Sequence, residues 1–170
     1  MAKPTNVKKL SYLALLCSIS IILSYIESLI PFQFGVPGAK IGLANTITII
    51  TLLCFGFQEA FTIMIVRIFI VGITFTNLYM MLYSLSGGIL SLVMMFIFYR
   101  TQFFSNYIIS IIGGIFHNVG QLLIAMIFFN TTTFLYYLPY LSLLGFISGI
   151  VIGIIAQIIY LKIGSYIKRR

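Results

Sequence analysis

The sequence predicts an all-α integral membrane protein with six transmembrane helices, formed by residues 1–170 as a single domain. Of its residues 61% are hydrophobic and only 7% are charged, whereas soluble domains carry about 25% charged residues. Ten Lys and Arg stand against two acidic residues, and the cations gather at the ends of apolar runs. This distribution is typical of a membrane topology signal rather than of a nucleic-acid-binding surface. We predict the spans at residues 10–30, 41–55, 60–77, 80–99, 107–129 and 135–161.

The first three predicted spans are separated by breaks in the apolar pattern. The run 10–30 follows Lys8 and Lys9, and it has the roughly 20 residues that crossing a bilayer requires. The Pro- and Gly-rich segment PFQFGVPGAK ends it. The apolar run 41–80 would measure about 60 Å as one helix, twice the hydrocarbon thickness. It must therefore turn, and we place the turn at GFQE, residues 56–59.

The last three spans are separated by the loops RTQFFSN at 100–106 and NTTTF at 130–134. Six crossings leave both termini on one side of the membrane. Cations favour the cytoplasmic side, and they divide eight to one in favour of the side that holds the termini. We therefore predict a multi-pass protein of the cell membrane with both termini in the cytoplasm. Lys40 is the cation on the opposite side, and those on the terminal side are Lys3, Lys8, Lys9, Arg100, Lys162, Lys168, Arg169 and Arg170.

Arg67 is the one cation that the pattern places inside a span, near the middle of the third. A charge at that depth costs several kcal/mol unless it is paired or faces water. Glu59 lies eight residues earlier, about 12 Å along the same helix, which is too far for a direct ion pair. Arg67 therefore requires a partner from another helix, a cavity or a ligand.

The fifth span carries polar side chains at its middle. Gly113, His117 and Gln121 follow one another at intervals of four and form one stripe, with Asn118 on the adjacent stripe. An unpartnered polar group in hydrocarbon is costly, so this face must point inward. Amides often bond membrane helices together, and helix packing is one explanation for Asn118 and Gln121. A ligand-lined cavity is the other, and Arg67 and His117 favour it.

The segment PGAKIGLANT at 37–46 is the second polar stretch. A helix start favours anionic groups, and Lys40 adds positive charge there. Alternatively, Lys40 snorkels to the interface or pairs with Glu27. The small residues of SLSGGILS at 84–91 indicate helix packing. The candidate substrate-binding residues are Lys40, Asn45, Arg67, His117, Asn118 and Gln121.

Ala14 and Ser18 place two small residues one turn apart on the first span. Such a pair allows a second helix to approach closely. The pattern predicts either internal packing or a surface on which a partner protein docks.

Several classes of catalytic site are missing from the sequence. There is no Walker A motif, no Cys/His metal spacing and no Ser/His/Asp set. A chain without Asp cannot form an Asp-rich magnesium site of the kind that cleaves prenyl diphosphates. We therefore predict no catalytic residue, no metal, no cofactor and no enzyme activity.

Five motifs in order resemble one known family: PGAKIGLAN (37–45), FGFQEA (55–60), SLSGGILS (84–91), HNVGQLL (117–123) and YYLPYL (136–141). They resemble the Gx transporter family, which is also labelled heptaprenyl diphosphate synthase component I. That family is similar to the substrate-binding S components of energy-coupling factor (ECF) transporters.

The resemblance implies a six-helix S-component-like bundle that binds a small vitamin in an outward pocket. It also implies docking on a coupling membrane protein, the T component, and on ATPase subunits. Ala14 and Ser18 match the family's small-x-x-x-small docking motif, with Ser at the second small position.

The predicted function is that of a substrate-binding membrane subunit of an ECF-type transporter, importing a small vitamin- or cofactor-like molecule. Its partners would be the substrate, membrane lipids, the T component and the ATPases, with no nucleic acid. The cations and the aromatic residues favour an anionic or carbonyl-rich substrate with a flat or isoprenoid body. The alternatives are a non-catalytic membrane subunit of prenyl diphosphate or isoprenoid quinone biosynthesis, and a membrane scaffold.

Overall fold

The computed structural model of the protein describes residues 6–29 and 42–168, and this part of the chain is helical throughout apart from short turns. Breaks such as Gly56, where φ is +109°, separate the helices. This glycine lies within the predicted turn GFQE. The elements are α1 (Asn6–Leu29), α2 (Asn45–Cys54), α3 (Phe57–Thr74), α4 (Leu78–Thr101), α5 (Asn106–Phe129), a 3₁₀ helix (Thr133–Tyr137) and α6 (Leu138–Lys168).

Among the described residues, five helices are long and apolar enough to cross a membrane. They are found at Val7–Leu29, Phe57–Thr74, Leu78–Thr101, Asn106–Phe129 and Thr133–Lys162.

The predicted second span differs from the other five, so the six-span arrangement is not confirmed. Its helix, α2, has only 10 residues and measures about 15 Å, half the thickness of the hydrocarbon layer. Residues 45–53 are all buried. Because α2 is enclosed by other helices, the thickness of the bilayer does not set its length.

Contacts between α1 and α3 show that these two helices are parallel. At one end, the Lys9 ammonium pairs with the Glu59 carboxylate in the first turn of α3. At the other end, the ring of Tyr25 lies 4.6 Å from the ring of Phe75, measured between centroids. The start of α3 therefore lies at the same end of the bundle as Lys9.

The remaining helices alternate in direction. α4 runs back toward the Lys9 end and α5 runs away from it. Asn106, at the start of α5, donates a hydrogen bond of 2.6 Å to the Gln157 side chain of α6. The start of α1 and the C-terminal part of α6 consequently share the Lys9 end. That end also holds Lys8, Lys9, Arg100 and Lys162.

The central helix α5 approaches α4 and α6 through glycines. A Cβ added at Gly87 would stand 2.7 Å from the His117 carbonyl oxygen, and one at Gly114 would stand 2.3 Å from the Gly145 carbonyl oxygen. Both distances are shorter than van der Waals contact. The helices can therefore be this close only because glycine has no side chain at these positions. Ser86 adds a hydrogen bond of 2.7 Å to the Gly120 carbonyl. The stretch 84–91 therefore packs helices, as its small residues predict.

Helix α1 lies at the edge of the bundle. Among the described elements it contacts only α2 and α3. Ala14 and Ser18 are both exposed, and the Ser18 hydroxyl donates to the Ala14 carbonyl at 3.0 Å. No other described element covers this pair, so the described helices provide no internal packing contact for it, and docking of a partner stays a prediction.

Candidate functional site

Arg67 is enclosed between α1 and α3, and only 6% of its surface is exposed. Its Nη1 donates a hydrogen bond of 3.1 Å to the Ser24 hydroxyl of α1. Its Nε and Nη2 are also buried, and they have no hydrogen-bond partner within the described residues. A buried N–H group without an acceptor costs about 1–3 kcal/mol, and more when the group is charged. The guanidinium is therefore only partly satisfied by the protein.

Glu27 supplies the negative charge of this region. It is 7% exposed, and its Oε1 accepts hydrogen bonds from the backbone N–H groups of Gly42 and Leu43. Its carboxylate stabilises the charged guanidinium of Arg67 electrostatically. Gly42 has a φ of +85°, a left-handed conformation that glycine adopts without strain. Glu27 thus holds the start of the α2 region against α1.

His117 approaches the same place from α5. It is 5% exposed, and its Nε2 lies 3.1 Å from the Gln121 side-chain nitrogen one turn further along the helix. The nitrogen of an imidazole donates or accepts in this bond according to the tautomer of the ring. The ring is confined by two glycines, since a Cβ would stand 3.4 Å from Cδ2 at Gly42 and 3.0 Å from Cε1 at Gly87.

These side chains border one cavity between α1, α3, α4 and α5. About 20 Å³ of it is open to the centres of water-sized groups, and a single water needs about 10–15 Å³ on that measure. The cavity therefore admits a water or one small head group, but not a whole vitamin. The residues around it are Ser24, Glu27, Gly42, Arg67, Ile68, Val71, Gly72, Thr76, Met81, Ser84 and His117.

Only some of the predicted binding residues meet at this cavity. Arg67 and His117 line it, and Gln121 positions the histidine ring. Asn45 lies beside Gly42 and donates a hydrogen bond of 3.1 Å to the Ser91 hydroxyl. Lys40 lies outside the residues that the structure describes.

Asn118 faces a different neighbour. Its side-chain nitrogen donates a hydrogen bond of 2.7 Å to the Leu141 carbonyl of α6, and it does not border the cavity. The structure therefore gives Asn118 a helix-packing contact, which was the alternative left open by the sequence.

Ser24 and Glu27 were not among the predicted binding residues, although both line the cavity. They lie three positions apart on α1 and therefore share a face of that helix. A sequence signal existed, because Glu27 is one of only two acidic residues in the chain. What the sequence lacked was any indication that this face of α1 meets Arg67.

The described groups at the cavity can bind a polar head group. They are a cation with two donors that are unsatisfied within the described residues, a carboxylate and an imidazole. Within the described residues there is no group of three His, Cys, Asp or Glu side chains that would hold a metal ion.

The sequence of the chain matches one protein family. The family described as heptaprenyl diphosphate synthase component I matches residues 16–159. No curated protein and no solved structure matches the chain significantly. Because the match extends over most of the 170 residues, this chain belongs to the heptaprenyl diphosphate synthase component I family.

Proposed function

We propose that this protein is a substrate-binding membrane subunit that takes a small vitamin- or cofactor-like molecule into the cavity beside Arg67. In this proposal an ECF-type T component and ATPase subunits drive import. The supporting observation is the buried guanidinium of Arg67, whose Nε and Nη2 have no acceptor within the described residues. An intramembrane ionisable residue marks a functional site by default, since a charge there is too costly to keep for packing alone.

The position of the cavity also supports binding and release. One wall is formed by α1, which supplies Ser24 and Glu27 and contacts only α2 and α3 among the described elements. A helix with so few neighbours is displaced at lower cost than the glycine-packed α5. Movement of α1 would open the cavity without breaking the core between α4, α5 and α6.

The contacts of the two acidic residues support a non-catalytic role. Both carboxylates of the chain are engaged, Glu27 by the backbone of Gly42 and Leu43 and Glu59 by Lys9. The chain has no Asp. No pair of carboxylates is therefore left to hold the magnesium ions of a diphosphate-cleaving reaction.

The exposed pair of Ala14 and Ser18 is our candidate for the docking surface of the T component. Ser18 satisfies its hydroxyl on its own helix, so the surface offers no unmet polar group and permits close helix approach. The pair lies in the half of α1 nearer the Lys9 end. The cations at that end favour a cytoplasmic position for it, where the ATPases would act, and our proposal assigns the protein to the cell membrane.

A second function is favoured by the family itself. The description "component I" of a synthase fits a non-catalytic membrane subunit that assists a separate prenyl diphosphate synthase. In that case the cavity would hold part of an isoprenoid substrate or product.

Co-purification distinguishes the two functions. The protein would be isolated from its native membrane in mild detergent, and native mass spectrometry would identify bound small molecules and protein partners. We expect a bound small molecule that is lost in Arg67→Ala, together with a T component and ATPases. Recovery of a prenyl diphosphate synthase instead would support the second function. A protein that carries neither molecule nor partner would contradict both.

A further inference from the structure

Met81 of α4 borders the cavity and packs against Gly72 of α3. We propose that Met81 determines the size of the group that the cavity accepts, and that a larger ligand enters by displacing the Met81 side chain from Gly72. This proposal rests on the binding function proposed above, and it names the residue that selects the ligand by size.

The polar walls of the cavity are fixed by hydrogen bonds. Arg67 donates to the Ser24 hydroxyl at 3.1 Å, and Glu27 accepts from the backbone N–H group of Gly42. The ring of His117 shares a hydrogen bond with a side chain one turn further along α5. Moving any of these side chains would break a buried hydrogen bond, which is unfavourable unless a new partner replaces it.

The apolar walls differ in their ability to move. Ile68 and Val71 are 3% and 4% exposed, and branching at Cβ restricts the χ1 angle of both side chains. Met81 is only half-buried, and its unbranched side chain adapts readily to a changed environment. Among the described residues around the cavity, it is the only long apolar side chain without a branch. The cavity therefore enlarges most easily where Met81 lies.

Gly72 provides the surface that Met81 covers. A Cβ added at Gly72 would stand 2.7 Å from both the Cγ and the Sδ of Met81, so the thioether occupies space that a larger residue would fill. A change of the Met81 rotamer releases this contact without separating α3 from α4. By contrast, a Cβ at Gly87 or at Gly120 would stand 2.7 Å from a backbone oxygen of the neighbouring helix. Those contacts between α4 and α5 yield only when the helices separate.

The boundary between α3 and α4 is therefore where the body of a larger ligand would lie. Displacement of Met81 would uncover the backbone of Gly72 beside Ile68 and Val71, which together offer an apolar surface. The polar head group of the same ligand would remain at Arg67. The ligand class that fits has a polar end and an apolar body, and Met81 limits the width of the part that follows the head group.

Thiol reagents of two sizes test this role without any ligand. Val71→Cys, in a background without Cys17 and Cys54, places a single reactive sulfur in the cavity wall. The full-length protein in nanodiscs would be treated with methyl or benzyl methanethiosulfonate, and intact-protein mass spectrometry would follow each reaction. The measured quantity is the rate with the benzyl reagent divided by the rate with the methyl reagent. This ratio separates the effect of size from the intrinsic reactivity of the thiol.

Two substitutions of Met81 should change this ratio in opposite directions. Met81→Ala removes the obstructing side chain, so the ratio should rise about tenfold or more, because the larger reagent no longer overpacks the cavity. Met81→Leu conserves volume but is less adaptable than methionine, so the ratio should fall. A folded Met81→Ala protein whose ratio does not rise would overturn the proposal. If Met81→Ala does not fold, an unchanged ratio in Met81→Leu would overturn it.

Two controls separate this effect from a general loosening of the bundle. Met80 is the adjacent half-buried methionine and is not among the described residues around the cavity, so Met80→Ala should leave the ratio unchanged. Ser110→Cys places a thiol at a 2% exposed position on α5, away from the cavity, and it should stay unreactive when combined with Met81→Ala. An equal change in Met80→Ala, or reaction at position 110, would overturn the assignment to Met81.

Failure of this proposal is distinguishable from failure of the proposed function. A co-purified small molecule that is lost in Arg67→Ala, together with reagent rates that do not depend on Met81, would leave the binding function intact and exclude size selection by Met81. Reagent rates that follow Met81 as expected, with no co-purified molecule, would leave size selection intact and contradict the binding function.

Discussion

Arg67 of α3 and Ser24 of α1 are joined by a buried hydrogen bond of 3.1 Å between Nη1 and Oγ. This bond orients the guanidinium so that its Nε and Nη2 edge remains unoccupied by the described residues. It also links the peripheral helix α1 to the bundle at the depth of the cavity. One contact thereby couples the position of α1 to the orientation of the cation.

Glu27→Gln should destabilise the protein far more than Glu59→Gln. Glu27 is 7% exposed and borders the same cavity as the buried Arg67, and removing one of two buried opposite charges costs about 3 kcal/mol or more. The glutamine side-chain oxygen can still accept a hydrogen bond from the Gly42 N–H group. The difference in stability between the two variants therefore measures the effect of removing the charge. Glu59 and Lys9 form a more exposed pair, worth about 0–1 kcal/mol. Equal losses of unfolding free energy, measured by denaturant titration in detergent, would show that Glu27 does not compensate Arg67.

Gly87→Ala should lower stability by about 1–3 kcal/mol, the usual cost of overpacking. Its Cβ would stand 2.7 Å from the His117 carbonyl oxygen, a backbone atom that cannot move aside without separating α4 from α5. Gly153→Ala is the matched control, because its nearest neighbour is the Ser110 Cβ at 3.1 Å. Thermal unfolding of both variants measures the difference. A Gly87→Ala protein as stable as the wild type would contradict the close approach.

His117→Ala should reduce the amount of co-purified small molecule, whereas Asn118→Ala should not. His117 borders the cavity, while Asn118 donates to Leu141 on α6. Loss of that interhelical bond should cost about 0.6–2 kcal/mol of stability. Native mass spectrometry measures the amount of bound small molecule, and thermal unfolding measures the stability of each variant. Ligand loss in Asn118→Ala at unchanged stability would show that the residue contributes to binding after all.

The Lys9 end of the bundle should face the cytoplasm. Single cysteines at Gln102, after α4, and at Thr132, before the 3₁₀ helix, lie at opposite ends and are both exposed. In a background without Cys17 and Cys54, an impermeant thiol reagent applied to intact cells should label position 132 only. Permeabilised cells, in which both positions should react, are the control. Labelling of position 102 from outside would reverse the topology.

Ala14→Trp should abolish co-purification of the T component and leave folding unchanged. Ala14 is exposed and no other described element covers it, so a large side chain does not disturb the bundle but prevents close approach of a partner helix. Ile22→Trp, at a 56% exposed position further along α1, is the control and should retain the partner. A folded Ala14→Trp protein that still binds the T component would disprove docking at this surface.

Much of the fold follows from local sequence properties. The lack of charged residues predicts a membrane protein, and the break GFQE predicts the turn that Gly56 makes with its φ of +109°. The intervals between His117, Gln121 and the glycines of α5 predict an inward polar face, and these residues are buried in the structure. The length of an apolar run and the period of a helix depend on residues that are close together in the sequence. Both can therefore be recognised in a single sequence.

The partners of those polar residues were decided only by tertiary packing. Ser24 is 43 positions from Arg67, and Asn118 is 23 positions from Leu141, so neither pair leaves a periodic signal in the sequence. The length of α2 is a similar case. An apolar run predicts burial but does not say whether lipid or protein surrounds it, and the enclosure of α2 by other helices removes the need for about 20 residues. The cavity at Arg67 exists because three-dimensional packing brings a carboxylate and a hydroxyl of α1 and an imidazole of α5 to the guanidinium of α3.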